Sequence, residues 1–275
     1  MVNDSMTESN VGGNLLKNLK INSMGRHVFA QSPYVYYYHA AGAGETLQID
    51  DLKSYSIYIL LKSDRTTIEL TAKPPLQKTY GLQTGDVLKF DHTTLALHCK
   101  AGPATFLIVG LKEGAPVSSI SSHTPFANIK KVSKPWGHEL WITGEQSPYV
   151  LKQIFIKAGT KTSLQYHRMK RETNVLFEGE AILHYKMNLA VTNDDVSPSD
   201  ISQVTIKPIA SVDVPSNTLH RLEAVSDTLL YEASTPHLDD VVRVSDDSGR
   251  SLGHIPQIGP VYRHVFCVPQ RNEGV

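Results

Sequence analysis

Cysteine is scarce. The chain of 275 residues has two, Cys99 and Cys267, far apart and neither in a C-x-x-C pair. That argues against a disulfide framework and reads as two free thiols in a reducing cytoplasm. An excess of charge is missing too: 27 Lys and Arg balance 27 Asp and Glu. Zero formal charge excludes a broad electrostatic grip on nucleic acid or on a membrane surface, while leaving room for a local basic pocket. Long hydrophobic runs are absent, so nothing in the sequence reads as a membrane span. The start, "MVNDSMTESNVGGN", has no basic head and no apolar centre. It lacks the marks of a secretory signal and reads as a mobile tail over residues 1–26 of a cytoplasmic protein. Helical periodicity is scarce as well; "NLLKNLKINSM" alone suggests one or two helical turns.

What is present is β texture. "YVYYYHA", "SYSIYILLK", "TTIELTA", "DVLKF" and "TFLIVGL" are rich in β-branched and aromatic residues and are separated by turn signals such as "AGAGE", "KPP" and "QTGD". The second half repeats the pattern in "ELWIT", "YVLKQIFIK", "TNVLFEG", "EAILHYK", "VTIKPI", "SVDVP", "HRLEAV" and "TLLYEAS", and "VYRHVFCV" reads as a last strand. Residues 187–203 read as an exposed loop, and "DDSGRSLGHIPQIGP" is also loop-like. Short strands at this spacing predict an all-β sandwich or barrel. The Ser-, Pro- and Gly-rich segment near residues 113–130 marks a boundary, giving β-domains at 27–115 and 130–275. A faint repeat, with His98 and His220 at matching places, fits two stacked β-domains.

One stretch concentrates chemistry. "SLQYHRMKRETNVLFEG" carries Gln165 and His167 two apart, on one face of a strand, and Glu172 five positions after His167. His220 arrives from "VPSNTLHRLEA". A barrel would turn all four side chains inward. Imidazole nitrogen, carboxylate and carboxamide oxygen suit a divalent first-row cation with open positions for Lewis-acid chemistry. Taken alone, the spacing also fits ordinary hydrogen-bonded strand residues.

The motifs "KPWGHELWI", "IFIKAGTKTSLQYHRMKRETNVLFEGEA", "VPSNTLHRLEAVSD" and "LDDVVRVSDDSGR" resemble, in sequence and order, cupins of the type II mannose-6-phosphate isomerase group, over roughly Lys134 to Arg250. The resemblance implies two jelly-roll cupin barrels in tandem, the first lacking its metal motif. It implies a metal, most often zinc, held by Gln165, His167, Glu172 and His220. It also implies isomerisation of a sugar or sugar phosphate through an enediol. Bifunctional members carry a sugar-nucleotide transferase domain that this chain lacks, which leaves the substrate open. His39, His92 and His98 in the first half are read as structural or surface residues.

Other residues follow from the same comparison. Lys152 shares a face with Ile154 and Ile156, where a lysine is costly unless paired or functional; the alternative is a strand-end residue reaching solvent. Arg243 is expected to hold phosphate or enediolate charge, with Lys161 and Arg250 as substrate-binding positions. Pairing of the arginines with Asp239, Asp240, Asp246 or Asp247 is the alternative, and Lys161 is otherwise a solvated turn residue. Arg221 and Glu223 fall on the face opposite His220. One of His184 and Tyr185 should point inward, with His184 a minor candidate for the proton carrier. A homodimer is the default assembly by analogy. The competing readings are an isomerase or epimerase of another sugar derivative, a non-catalytic sugar-binding module, and an iron dioxygenase, which the Q-x-H variation disfavours.

Overall fold

The computed structural model describes residues 16–18, 25–31, 33–50, 52, 54–59, 66–72, 76–90, 95–112, 122–144, 147–187 and 198–255. Cys267, His92, the expected last strand and the centre of the 187–203 loop lie outside them. The regular elements of the described residues are antiparallel strands, apart from 3-10 turns at Phe126–Asn128 and Pro198–Asp200. Among them no helix is long and apolar enough to cross a membrane.

Four sheets form two barrels. In the first half, Ser122–Thr124, Val87–Phe90, Ser54–Ile59, Ala104–Leu111, Val35–Ala41 and Gly25–Ala30 make one sheet in that order. Thr46–Ile49, Leu95–Ala101, Thr66–Ala72 and Leu76–Leu82 make the sheet facing it. In the second half, the seven-stranded sheet runs Leu16–Asn18, Ala210–Val214, Glu172–Glu178, Thr228–Ser234, Val150–Ile156, Gly137–Trp141 and Lys130–Lys134. Its partner runs Ser202–Ile206, Ala181–Lys186, Leu219–Ala224, Leu164–His167, Val241–Ser245 and Gly253–Ile255.

Several strands depart from the sequence reading. Leu16–Asn18, expected in a mobile tail with helical turns, is a strand, with Leu16 opposite Val212 in the second barrel's sheet. The spacing of Leu15, Leu16 and Leu19 imitates a helical face, but the open edge of Ala210–Val214 supplies hydrogen-bond partners that local periodicity does not reveal. Gly253–Ile255, expected in a loop, pairs with Val241–Arg243 for the same reason. The expected linker also contains Ser122–Thr124, which closes the edge of the first half's sheet against Val87–Lys89.

The central strands Val150–Ile156 and Thr228–Ser234 of the seven-stranded sheet are buried on both faces along nearly their whole length, which explains their short, mainly apolar sequences. On Val150–Ile156, Lys152, Ile154 and Ile156 face the second barrel's interior, while Leu151 packs with Tyr149, Val175 and Tyr231 against Phe29, Tyr36 and Leu107 of the first half. Full burial of a side chain such as Leu151 is worth roughly 1.5–3 kcal/mol. A buried hydrogen bond of 2.9 Å joins Tyr34 Oη and Thr173 Oγ1 across the same contact.

The two interiors differ. Tyr37, Leu47, Ile68, Leu97, Phe106 and Ile108 fill the first. His98 lies at its edge with Nδ1 3.0 Å from Thr46 Oγ1, and buried Cys99 is a free thiol. The second has an apolar floor that includes Ile156, Ala181, Val212 and Leu230, with polar residues above it. A close backbone approach shapes its wall: Gly137 has φ +149°, and a Cβ there would lie 2.1 Å from the Phe155 carbonyl oxygen.

Candidate metal centre

A cavity with about 970 Å³ of empty space, mouth included, opens into the second barrel. Strand pairing brings the ligand candidates together. Gln165 stands directly opposite His220 on neighbouring antiparallel strands, so both side chains project from one face. Glu172 opens its strand on the other sheet, opposite Val214 and Ser234. His167, Glu172 and His220 are buried, and each offers a ligand atom within 4.8 Å of the others. Gln165 lines the same cavity and accepts a 2.7 Å hydrogen bond from Ser163 Oγ at Oε1.

The hydrogen bonds fix the imidazoles. His167 Nδ1 lies 3.1 Å from the Asp240 carbonyl oxygen, and His220 Nδ1 lies 3.0 Å from that of Thr218. A carbonyl only accepts, so each Nδ1 carries hydrogen and each Nε2 points its remaining valence at the centre. His167 Nε2 is buried without a hydrogen-bond partner, with Glu172 Oε2 3.6 Å away. His220 Nε2 lies 3.0 Å from Glu172 Oε1. A lone pair aimed at a carboxylate oxygen is repulsive, so this contact calls for a positive charge between the two atoms, either a proton or a metal ion. The donor set and the unpartnered Nε2 fit a divalent cation held by His167, Glu172 and His220, with Gln165 beside them.

Electrostatics prepare His167 for ligation, while His220 without a cation favours a proton between its Nε2 and Glu172. Burial, followed by the nearby Lys170 ammonium, pushes the His167 imidazole down to about 3, so it is neutral and able to ligate. Burial would lower His220 too, but the Glu172 carboxylate outweighs it and leaves that imidazole above its ordinary value. Burial opposes ionisation of Glu172, yet Lys170 and His220 hold it well below the usual carboxylate range.

Lys170, unassigned from sequence, lies under this cluster with Nζ 2.6 Å from Glu172 Oε2 and 2.6 Å from Glu232 Oε1. A second charged group lines the cavity along the same sheet. Lys152, only 4 % exposed, places Nζ 3.6 Å from Glu139 Oε2 and 4.7 Å above the Trp141 ring. Lys134 reaches Glu139 at 3.4 Å, and Trp141 Nε1 donates to it at 2.8 Å. Glu139 and Lys134 were hidden in the "KPWGHELWI" motif. Period-two alternation along the motif could have assigned neither, because the Pro135–Trp136 turn interrupts it.

Arg243 and Arg250 line the cavity as well. Arg243 Nη1 donates to the Ser251 carbonyl at 2.6 Å, and its Nε lies 3.7 Å from Asp246 Oδ2. Arg250 grips the same carboxylate through Nε at 3.0 Å and Nη2 at 2.5 Å. Both arginines therefore face the cavity and pair with Asp246 at the same time.

Two sequence candidates are elsewhere. Lys161 forms an isolated bridge with Glu223, and its Nζ lies 3.0 Å from Glu223 Oε2 on the outer face. His184 joins that carboxylate at 2.8 Å and stands opposite Arg221, whose Nη2 reaches Asp247. The reason is parity. Leu183 points inward on its strand, so its neighbour His184 must point out.

No family model matches the sequence, and no curated protein matches it either. Solved structures do match the fold. One is the oxalate decarboxylase of Lactobacillus farciminis, in a formate complex: TM-score 0.62, 8% identity, covering 86% of this chain and 90% of that one. An IolB-like protein from Salmonella typhimurium gives TM-score 0.59 at 11% identity, with 81% and 92% covered. The vicilin of Solanum lycopersicum gives 0.56 at 8%, with 77% of each chain covered. These likenesses establish architecture: the chain has the cupin fold, as two jelly-roll barrels in tandem.

Proposed function

We propose that the second barrel is a metal-dependent active site that isomerises a sugar phosphate between aldose and ketose, in the manner of mannose-6-phosphate isomerase. The observation that carries the reading is the convergence of two Nε2 atoms and the Glu172 carboxylate inside a cavity that Arg243 and Arg250 also line. A bound divalent cation, zinc in this reading, supplies Lewis acidity toward adjacent carbonyl and hydroxyl oxygens.

The chain's residues supply the remainder. Arg243 and Arg250 bring guanidinium donors to a phosphate, the geometry best suited to that group. Asp246 holds both in place before substrate arrives. Glu139 and Lys152, paired in one wall, offer an ionised acceptor and an ammonium donor. The reaction moves a proton from one carbon to its neighbour and a second from hydroxyl to carbonyl oxygen, through an enediol, so it needs one group of each kind. The apolar floor from Ile156 to Leu230 excludes water from those transfers.

The test is incubation of metal-loaded protein with a panel of phosphosugars in deuterated water. Exchange of the carbon-bound proton together with aldose–ketose interconversion supports the reading. Full metal loading with no exchange for any sugar overturns it in favour of a binding module, and oxygen uptake would point to an oxygenase.

A further inference from the structure

Lys170 is held in place from several sides. The residue is 5 % exposed, and its ammonium spends two of its three N–H donors on Glu172 Oε2 and Glu232 Oε1. Its backbone N–H donates to Asp240 Oδ2 at 2.8 Å, and the carbonyl of that same Asp240 faces His167 Nδ1. Beyond it, Ser234 Oγ donates to Glu232 Oε1 at 3.1 Å. Glu232 is thus a fixed counter-charge that keeps Lys170 in position.

The consequence falls on Glu172. Its two oxygens are not equivalent: Oε2 is taken by the ammonium, while Oε1 faces His220 Nε2 and accepts a 3.0 Å hydrogen bond from Asn174 Nδ2. We infer that Lys170 is a positioning residue that makes Glu172 a one-oxygen ligand, keeping coordination positions open for substrate. The inference rests on the cation site proposed above. A carboxylate released from the ammonium is free to chelate with both oxygens and occupy a position the substrate needs. Charge balance explains why a second acid accompanies the lysine: Lys170 and Glu232 cancel, so the cation sees one net carboxylate.

Cobalt(II) added to chelator-stripped protein tests this, because its visible band is intense at low coordination number and weakens as ligands are added. Lys170→Met removes the ammonium at similar volume. Lys170→Met with Glu232→Gln removes both members of the cancelling pair and avoids an unpaired buried acid. Both variants are expected to bind cobalt(II), with a band that loses most of its intensity as the second Glu172 oxygen joins. A variant spectrum superimposable on that of the parent protein overturns the inference. So does a folded double variant that binds no cobalt(II), since Lys170 would then be holding the site together instead of setting its ligation. Failure of the parent protein itself to bind cobalt(II) is a different result, and it removes the metal reading beneath.

Discussion

Gln165 and His220 stand opposite each other on adjacent antiparallel strands, and the Nε2 of His220 lies 3.0 Å from Glu172 Oε1. His220 thereby links the two sheets of the barrel at the proposed ion. Metal present at one hundred times its Kd should stabilise the protein by about 2.7 kcal/mol. His220→Ala and His167→Ala are expected to lose that stabilisation while keeping the β-sheet circular dichroism of the parent. Urea unfolding with and without zinc, alongside metal analysis after dialysis, checks it. Retention of one tightly held ion by either variant would contradict the ligand assignment.

Arg243 and Lys161 separate cavity from outer face. A hydrogen bond to a charged group is worth roughly 1.5–3 kcal/mol, so Arg243→Ala should lower kcat/KM for a phosphosugar by about 10- to 100-fold with metal content unchanged. Lys161→Ala, whose partner Glu223 faces outward, should stay within about twofold of the parent, as surface substitutions do. Steady-state kinetics on the two variants decides. A large effect at Lys161 or none at Arg243 would refute the placement.

Acid stability reports on Glu139. Burial pushes its carboxyl up, but Lys152, Lys134 and the Trp141 N–H together outweigh burial and leave it below the ordinary value. A depressed folded value means the stabilisation is complete above the unfolded pKa of roughly 4.3 and is lost as pH falls through the folded value. In metal-free protein, the stability difference between parent and Glu139→Gln should therefore shrink as the buffer is taken from about pH 6 toward pH 3. Urea midpoints at several pH values measure it, and a difference independent of pH would count against an ionised Glu139.

Leu151 joins the two barrels. It belongs to one apolar cluster with Tyr36, Leu107 and Tyr231. Leu151→Ala is expected to cost about 2–5 kcal/mol and to lower a single unfolding transition for the whole chain. Two separated transitions, with only the second barrel affected, would show that the halves unfold independently.

The all-β architecture was legible because the strands carry strong local signals. "TTIELTA" and "TLLYEAS" coincide with the strands Thr66–Ala72 and Thr228–Ser234. Burial of Val150–Ile156 and Thr228–Ser234 on both faces made those strands apolar enough to recognise. Gln165, His167, Glu172 and His220 were found through motif order, and the fold draws them to one cavity. Lys170 was invisible: in "RMKR" it resembles a solvated basic turn, and Glu232, which completes its environment, is distant in sequence and comes close only through sheet pairing. Lys161 misled for the converse reason. It belongs to a basic position of the resembled motif, but its backbone bridges Glu223 on a strand whose alternate residues face out.

The pairing of Leu16–Asn18 with Ala210–Val214 has a practical meaning for anyone trimming the chain. Deleting those few residues would strip the cover from Ala210–Val214 and leave a row of unpaired amides and carbonyls along the half that carries the proposed cation site. Such a border recruits strands from other molecules, so the shortened protein should self-associate through that flank even with every residue of the proposed site intact.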